Sequence, residues 1–360
     1  MSDGLGMEPL DLVDRAALGQ FLAGCVPAYR EMSIKLLAGG ASNLTFLIRL
    51  DDRSYVLRRK PLGSSAPRAH DMQREFTVLN ALQGRDLPVP KVFAYHDDDD
   101  VVGAPFYLMD FVEGLVVHSA DNAKALREDQ ARECSAEMIR TLAQLHALEP
   151  ADLQIPNFGK PDDFLRRRIR SWLRQWNAVE HRDFPDVERI GQMLLENVPP
   201  QQPSTLVHGD YRLGNVILDT SAGASVKAVL DWEMSTIGDP LTDLAHLLVY
   251  WESTRGRLTH PAQMISRQPG FLDGPELTGL YQAITGRDVA FLPFYLAFEH
   301  WRAAIIKDAI YLRRANSQIR TDEDLQSFGA TVQLHLEEAA EILGELTPGE
   351  FSEPHEAEGR

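Results

Sequence analysis

The stretch from Leu206 to Glu233 constrains the fold of this chain more than any other. It contains two short apolar runs, Val216–Leu218 and Ala228–Leu230, and polar side chains lie beside each of them. Such runs predict two strands with a polar cluster at their ends. Phosphoryl transfer needs a carboxylate near the acceptor hydroxyl and oxygen ligands that hold Mg²⁺ on the phosphates. The stretch supplies both from four residues, which are Asp210, Asn215, Asp231 and Glu233.

The spacing of these side chains matches that of the kinase catalytic loop. In that loop a base Asp is followed five positions later by a metal-binding Asn, and a second metal-binding Asp follows a β-hairpin. Here Asn215 comes five positions after Asp210, and Asp231 comes sixteen positions after Asn215. A lone Asp-x4-Asn pair is common, but the preceding His208-Gly209 and the two apolar runs make chance a poor explanation. The pattern therefore predicts a phosphotransferase site.

Three segments carry a family resemblance: HGDYRLGN at 208–215, LDWE at 230–233 and GDPLTDLAHLL at 238–248. They resemble the aminoglycoside phosphotransferase and choline kinase superfamily, and in particular the kinase-like domain fused to some acyl-CoA dehydrogenases. The resemblance covers about residues 30 to 345. It implies an α+β, two-lobed protein-kinase-like fold, with a small N-terminal antiparallel sheet lobe and a larger, mainly helical C-terminal lobe. We expect a nucleotide-binding lobe at 1–112, a catalytic and acceptor-binding lobe at 113–348 and a disordered tail at 349–360.

The composition of the chain limits the classes of partner that it is expected to bind. The 360 residues suit two lobes rather than one small core. With 36 basic and 53 acidic residues, the net charge of −17 argues against nucleic acid or an anionic membrane as a partner. The two cysteines show no metal-ligand spacing, and no apolar run is long enough to span a membrane, so we expect a cytoplasmic protein. An anionic ligand would then require a local basic patch.

The first strands predict how a nucleotide is held. Residues 33–50 read as two strands joined by a turn, whose amides are candidates for phosphate contacts. In the third strand, the kinase pattern V-A-I-K laid over YVLR places Arg58 where the phosphate-binding Lys stands, with Lys60 as the alternative. We interpret Arg59 as a solvated edge charge. The turn candidates are Gly40, Ser42 and Asn43.

The next two segments complete the predicted nucleotide site. Residues 67–82 have helical spacing, and Glu75 lies beside the apolar face. By resemblance Glu75 pairs with the phosphate-binding basic residue; the alternative is a surface Glu near Arg74. The strand at 106–114 resembles the linker between kinase lobes, where backbone groups of Asp110 and Val112 are expected to bind adenine.

Roles within the catalytic stretch follow from the resemblance. Asp210 is expected to orient the acceptor hydroxyl, and Asn215 and Asp231 are expected to hold Mg²⁺, with Glu233 as an additional ligand. His208 is expected to brace the loop. We expect Asp239 to cap the following helix and anchor the loop, Asp243 to brace the same site, and His146 to hydrogen-bond backbone at the end of its own helix.

The sequence signals for residues that bind the acceptor are less specific. Arg166, Arg170 and Arg174 recur at a spacing of four residues, which indicates either a solvated basic face or a binding surface for phosphates of a large acceptor. Trp301 and Arg302 are acceptor candidates by resemblance, and the alternative is core aromatics with surface charges.

The function predicted from these residues is an ATP- and Mg²⁺-dependent phosphotransferase that acts on a small-molecule hydroxyl. The resemblance makes a hydroxyacyl-CoA the specific hypothesis and implies a functional link to an acyl-CoA dehydrogenase. Two alternatives stay open: a weak or inactive kinase-like binding protein, because Arg58 replaces the usual Lys, and an aminoglycoside or amino-alcohol kinase. ATP or GTP as the nucleotide, and a monomer or homodimer, also stay open.

Overall fold

The structure is a computed structural model. It describes residue 10 and residues 13–39, 43–60, 71–156, 158–179, 184–251, 265–315 and 322–346; for 38–39, 313–315 and 322–328 only the backbone is described. Along the chain, a part dominated by a five-stranded sheet is followed by a part dominated by helices. Of the predicted nucleotide residues, Gly40 and Ser42 lie outside the described residues, as does the predicted tail.

An antiparallel sheet forms the N-terminal part. Its strands are β1 (Met32–Gly39), β2 (Leu44–Leu50), β3 (Arg53–Arg59), β4 (Val92–His96) and β5 (Phe106–Asp110). Helix α1 (Arg15–Cys25) precedes β1, and helix α2 (Met72–Leu82) lies between β3 and β4. The strand order is β1-β2-β3-β5-β4, so β3 lies at the centre of the sheet. Strand β3 therefore pairs with a neighbouring strand on both sides.

Alternation along β3 sends its side chains to two separate cores. Tyr55 and Leu57 belong to the cluster that contains helix α1. Val56 belongs to the large cluster that contains α2 and the C-terminal helices, and Arg58 shares its face. Arg59, on the opposite face, is fully buried and donates hydrogen bonds to the carbonyl oxygens of Val102 at 2.5 Å and of Lys60 at 2.9 Å. The interpretation of Arg59 as a solvated edge charge was therefore wrong.

Long helices and short strands form the C-terminal part. The helices are α3 (Ala120–Ala123), α4 (Glu128–His146), α5 (Phe164–Asn177), α6 (Asp186–Glu196), α7 (Leu241–Trp251), α8 (Gly274–Thr285), α9 (Leu292–Ala315) and α10 (Asp322–Glu345). The strands are β6 (Leu115–Val116), β7 (Thr205–Val207), β8 (Val216–Asp219), β9 (Ser225–Val229) and β10 (Thr236–Gly238). Antiparallel pairing joins β7 to β10, and β8 to β6 and β9. The predicted two-lobed α+β fold is confirmed.

Helix α5 buries one face, whereas α7 is buried on nearly all sides. On α5, Leu165, Ile169 and Trp176 are buried at helical spacing, while the arginines between them lie outside this stripe. Burial of such an apolar stripe is what holds a surface helix in place, since each buried aliphatic side chain contributes about 1.5–3 kcal/mol. Among the described residues, no helix combines the length and the apolar character needed to cross a membrane.

Candidate active site

The loop at 208–215 joins β7 to β8 and folds back on itself. The side-chain amide of Asn215 donates to the Oδ2 atom of Asp210 at 2.7 Å and to the Asp210 carbonyl oxygen at 2.9 Å. The backbone N–H of Leu230 donates to the Asn215 carbonyl oxygen at 2.8 Å, which ties the loop to the segment that carries Asp231. The structure thus brings together the three residues that the motif predicted for the reaction centre.

Two backbone conformations shape this centre. Gly209 has a φ of +82°, and a Cβ at this position would lie 2.7 Å from the Met234 carbonyl oxygen, so the turn requires glycine. Asp231 has a φ of 68° although it is not glycine. Left-handed backbone at a non-glycine residue costs energy and is concentrated at functional sites, which fits the position of Asp231 directly after β9.

Asp243 anchors the catalytic loop. Its carboxylate accepts hydrogen bonds from the backbone N–H groups of His208 at 2.6 Å and Gly209 at 2.7 Å. Burial raises the pKa of Asp243, but the hydrogen bond and charge of His146 and the loop contacts outweigh burial, so its pKa is lowered and the carboxyl stays ionised. The prediction that Asp239 anchors the loop was wrong. Asp239 accepts the N–H of Leu241 at 3.1 Å and so caps α7.

Two buried histidines support this anchor. The Nε2 atom of His146 lies 3.3 Å from the Asp243 carboxylate, and its Nδ1 atom lies 2.8 Å from the Tyr281 hydroxyl. His146 therefore contacts side chains, not the helix backbone that we predicted. His208 donates from Nε2 to the Leu230 carbonyl oxygen at 2.9 Å, and its Nδ1 accepts the N–H of Asp210 at 3.2 Å. Burial lowers the pKa of both rings.

Arg58 lies between two carboxylates. One guanidinium nitrogen is 2.7 Å from Glu75 Oε1, and the other is 2.6 Å from Asp231 Oδ1. The planar fork of arginine makes two such contacts at once, which a single ammonium group does less readily. Glu75 has no exposed surface, so the alternative of a surface Glu is excluded. Lys60, the other candidate, follows the end of β3 and makes no ion pair with the residues that the structure describes.

Burial sets the protonation of this cluster. Burial raises the pKa of Glu75 to about 7 although the Arg58 charge acts to lower it. Burial acts to lower the pKa of Arg58, but the charges of Glu75, Tyr107 and Asp231 outweigh it and raise the pKa above its usual value. The cation is thus permanent, whereas Glu75 exchanges its proton near neutral pH.

The oxygen atoms around Asp231 fit a magnesium ion. Asn215 uses its amide nitrogen on Asp210, and its Oδ1 atom accepts no hydrogen bond from the described residues. The same is true of the Oδ2 atom of Asp231, whose other oxygen binds Arg58. No three His, Cys, Asp or Glu side chains converge on one point in the described part of the chain. One or two carboxylates with an amide oxygen suit Mg²⁺, which takes its other ligands from phosphate and water.

The remaining nucleotide candidates lie around this cluster. Asn43 is buried, and its side-chain amide donates to Glu233 Oε2 at 3.1 Å, so Asn43, just before β2, contacts one of the proposed metal residues. The backbone N–H of Asp110 already donates to the Lys91 carbonyl oxygen at 2.8 Å. That amide is therefore not free for adenine. Val112 is partly exposed, and its backbone groups remain candidates for binding adenine.

A small cleft with a mainly apolar lining lies beside Arg212 and has room for about one water molecule. Arg212 forms its polar edge and places Nε 3.2 Å from Asp210 Oδ1. The guanidinium of Arg212 also lies 5.5 Å from the centre of the Tyr250 ring. The cleft is otherwise lined by His118, Leu213, Gly214, Leu247, Trp251 and Ile265.

A second cavity lies on the other side of the catalytic loop, against Gly209. Arg168 and Arg302 both line it. The pKa of Arg168 is lowered to about 10, first by burial and then by the charge of Arg302. Arg302 forms an ion pair with Glu299 at 2.7 Å and lies 3.3 Å from the Gly209 carbonyl oxygen, to which it donates. This predicted acceptor residue thus lies at the back of the catalytic loop.

The three arginines of the predicted stripe lie on α5, and they differ in their exposure. Arg166 donates to the Leu195 carbonyl oxygen at 2.7 Å, at the end of α6, while Arg170 and Arg174 are exposed. Trp301 has no exposed surface, and its indole N–H donates to the Val187 carbonyl oxygen at 2.8 Å. Its assignment as an acceptor residue was wrong, because its side chain is part of the core.

Sequence reasoning missed three residues that the structure places at the site: His246, Arg212 and Arg168. His246 follows Asp243 by three positions on α7, which puts the two side chains on neighbouring parts of one helix face. That spacing inside the motif DLAHLL was the available signal. Arg212 follows Asp210 by two positions within the loop motif itself. No comparable signal marked Arg168.

The fold and this site define a phosphotransferase of the kinase-like class. The pattern of the phosphotransferase enzyme family matches residues 33–279, and the chain belongs to that family. A putative aminoglycoside phosphotransferase from Ralstonia eutropha has a similar structure, with a TM-score of 0.75 and 28% identity over 91% of this chain and 98% of that one. The chain is therefore a phosphotransferase-family member with a kinase-like fold.

Human acyl-CoA dehydrogenase family member 11 is 35% identical over 306 residues, which cover 83% of this chain and 38% of that protein. This chain thus spans less than half of that relative, and the resemblance to the dehydrogenase-fused branch is confirmed. A solved APH(4)-Ia variant in ternary complex with AMP-PNP and hygromycin B shares the fold, with a TM-score of 0.60 and 16% identity over 90% of this chain and 99% of that one.

Proposed function

We propose that this chain is an ATP- and Mg²⁺-dependent kinase for a small-molecule hydroxyl. One observation carries the proposal: Arg58 connects Glu75 to Asp231, next to the Asp210–Asn215 pair. The four acidic and basic groups occupy the positions at which kinases hold phosphates, metal and acceptor. The AMP-PNP complex of a protein with the same fold supports a nucleotide at this place.

The chain's own residues have distinct roles in this proposal. Arg58 contacts the phosphates, and Asn215 and Asp231 hold the ion, with Glu233 beside them. Bound Mg²⁺ would bridge the phosphates and neutralise their charge. Asp210 accepts a hydrogen bond from the acceptor hydroxyl and orients it. We propose that the lobes divide between residues 112 and 113, with the nucleotide in between.

We further propose a hydroxyacyl-CoA as the acceptor. Arg212, beside Asp210, offers a hydrogen-bond donor to the acceptor, and the side chains of Leu213, Leu247 and Trp251 that line the adjoining small cleft are apolar and nearly buried. A polycationic aminoglycoside would meet the positive charge of Arg212 at this cleft and those of Arg168 and Arg302 at the second cavity. Repulsion between like charges therefore disfavours an aminoglycoside as the acceptor. The relative named as an acyl-CoA dehydrogenase family member agrees with an acyl substrate and suggests a functional link to such an enzyme.

The test compares steady-state kinetics on a 4-hydroxyacyl-CoA, the free 4-hydroxy acid and kanamycin, each with Mg-ATP and with Mg-GTP. We expect the highest kcat/KM for the CoA ester. Equal or better use of the free acid or of kanamycin would refute the CoA ester and leave the kinase in place. No phosphorylated product from any hydroxyl compound, in a metabolite extract as well, would favour a binding protein.

The exposed part of the arginine stripe supplies a second comparison. If Arg170 contacts the phosphates of CoA, Arg170→Glu raises KM for the CoA ester about tenfold, the size of a lost charge-assisted hydrogen bond, and leaves KM for ATP unchanged. Arg132→Glu, an equal charge reversal at an exposed position of α4, is the matched control. The same KM in both variants would remove Arg170 from the acceptor site.

A further inference from the structure

His246 connects the predicted catalytic residue to a buried carboxylate. It lies on α7 with a side chain that is only 5% exposed. Its Nε2 atom is 2.8 Å from Asp210 Oδ1, and its Nδ1 atom is 3.0 Å from Glu299 Oε2, which belongs to α9. Each ring nitrogen therefore faces a carboxylate oxygen, and the two carboxylates come from different elements of the fold.

Hydrogen bonding leaves a single lone pair of Asp210 unused. A carboxylate oxygen accepts two hydrogen bonds through its two lone pairs. The Oδ1 atom receives one from His246 at 2.8 Å and one from Arg212 at 3.2 Å, so it is fully used. The Oδ2 atom receives one from Asn215 at 2.7 Å. An acceptor hydroxyl that binds Asp210 therefore has to donate to Oδ2.

The contacts of the ring fit two protonation states, and Nε2 donates to Asp210 in both. The cation donates to Glu299 from Nδ1 as well, whereas the neutral ring accepts at Nδ1 from an Arg302 guanidinium nitrogen that lies 2.5 Å away. Arg212 and Arg302 oppose the positive charge, and the Tyr250 ring packs at 4.7 Å. Burial and the Arg302 charge lower the pKa of His246, but the hydrogen bonds to Asp210 and Glu299 outweigh them and raise it.

We propose that His246, held by Glu299, is a positioning residue for the phosphoryl transfer. Its Nε2–H fixes Oδ1 of Asp210 and turns Oδ2 toward the acceptor hydroxyl. Glu299 and Arg302, which form an ion pair with each other, both contact Nδ1 and fix the ring. The inference rests on the proposed kinase function, and it assigns no bond making or breaking to His246. Its loss should therefore lower kcat and spare the binding of nucleotide.

The kinetic test uses two substitutions. His246→Leu removes the donor to Asp210, and we expect kcat to fall about tenfold to a hundredfold, as for a catalytic group displaced by about an ångström. His246→Gln can still donate to Oδ1, so it should recover a substantial part of the loss. KM for ATP should stay within about twofold in both, since neither side chain faces the phosphates. His96→Gln, on β4 and remote from the loop, is the control.

Two outcomes would overturn the proposal: a His246→Leu variant with wild-type kcat, or equal losses in the Gln and Leu variants that track their folded fractions. The second outcome describes a merely structural residue.

A second measurement needs no turnover. Ring ¹⁵N NMR of the ligand-free wild type should show the Nε2 atom of His246 protonated at pH 7, and Glu299→Gln should lower the pKa of the ring. A wild-type ring with its proton on Nδ1 alone would overturn the proposal, because Nε2 could then not donate to Asp210. Absence of phosphotransfer by the wild type would overturn the proposed function instead, and the ring measurement would still decide how His246 is held.

Discussion

Two clusters in this molecule place a nitrogen cation between two carboxylates, and they differ in the choice of cation. On the nucleotide side, Arg58 lies between Glu75 and Asp231. On the acceptor side, His246 lies between Asp210 and Glu299. Arginine stays charged at every pH at which the protein is folded, whereas histidine changes its charge near neutrality. The phosphate-binding charge is thus permanent, and the acceptor side can respond to pH.

The two clusters also differ in where their variable proton resides. Next to the permanent Arg58 charge, the carboxyl of Glu75 has a pKa raised by burial to about 7. In the other cluster the carboxyl of Asp210 has a lowered pKa, because the hydrogen bond and charge of His246 outweigh burial. A carboxylate that stays ionised is a weak base. Asp210 is therefore suited to orient a hydroxyl rather than to store its proton.

The largest expected effect tests the acceptor cluster. Asp210→Asn should lower kcat by about 10²–10⁴-fold, the usual contribution of a general base or an orienting carboxylate. Nucleotide binding should survive, because Asp210 makes no contact with Arg58. Steady-state kinetics and a thermal-shift titration with Mg-ATP measure the two quantities. Asp219→Asn, at the partly exposed last position of β8, is the control. A kcat within a few-fold of wild type would remove Asp210 from the mechanism.

The second prediction concerns Glu75. Its folded pKa of about 7 lies above the unfolded value of 4.5, so its contribution to stability is complete below pH 4.5 and is lost as the pH rises toward 7. The shift corresponds to about 3 kcal/mol over this window. Wild type should therefore lose free energy of unfolding, relative to Glu75→Gln, as the pH rises from 5 to 8. Urea unfolding in EDTA measures the difference.

A constant difference between the two proteins across that range would show that Arg58 holds Glu75 ionised throughout. The cluster would then carry a permanent negative charge as well as a permanent positive one, and the contrast with His246 would be sharper.

The third prediction separates two roles of Asp231, which are binding of the metal ion and pairing with Arg58. Asp231→Ala should weaken the binding of Mg-ATP by about tenfold to a hundredfold, since it removes a direct ligand of the ion. It also frees Arg58 for phosphate, so binding of ATP without Mg²⁺ should be weakened much less. Thermal-shift titrations with and without Mg²⁺ measure both. If Mg-ATP stabilises the variant and the wild type equally, Asp231 does not bind the ion.

The smallest expected effect is the pH response of His246. Its folded pKa is raised, so its contribution to stability is present below the unfolded value of 6.5 and is lost as the pH rises through the folded value. The difference in free energy of unfolding between wild type and His246→Gln should therefore change above pH 6.5. The Glu75→Gln difference changes mostly below pH 7. If the two stability differences change over the same pH range, the two clusters titrate together.

Local spacing made much of the nucleotide side predictable. Asp210 and Asn215 are five residues apart in one loop, so the chain itself keeps their side chains close. Alternation along β3 placed Arg58 and Arg59 on opposite faces of the sheet. Which face of the sheet is exposed to solvent depends on the packing of α1 and of the loop at Val102. The exposure of Arg59 was therefore predicted wrongly. The pairing of Arg58 with Glu75 came from the family resemblance, and the structure places the two side chains in contact.

The acceptor side depends on packing between distant helices. On α5, Arg168 is two residues from both Arg166 and Arg170, so it projects from roughly the opposite side of the helix. Periodicity identifies such faces but does not say which one meets the catalytic loop. That choice depends on how α5 packs against α9. The packing of α7 against α9 brings His246 to Glu299 and Arg302, which lie more than fifty residues away in the chain.

The amino-acid sequence by itself determined the catalytic loop and its carboxylates, because those features follow from short-range spacing and hydrophobic pattern, and the family resemblance of the same motifs implied the two-lobed class. Tertiary structure alone decided that Trp301 is buried, that Asp243 rather than Asp239 holds the loop, and that His246 contacts Asp210. The reason is physical: a helix presents every direction to its surroundings, and only its neighbours in the folded chain determine which side chains lose water and which charges meet.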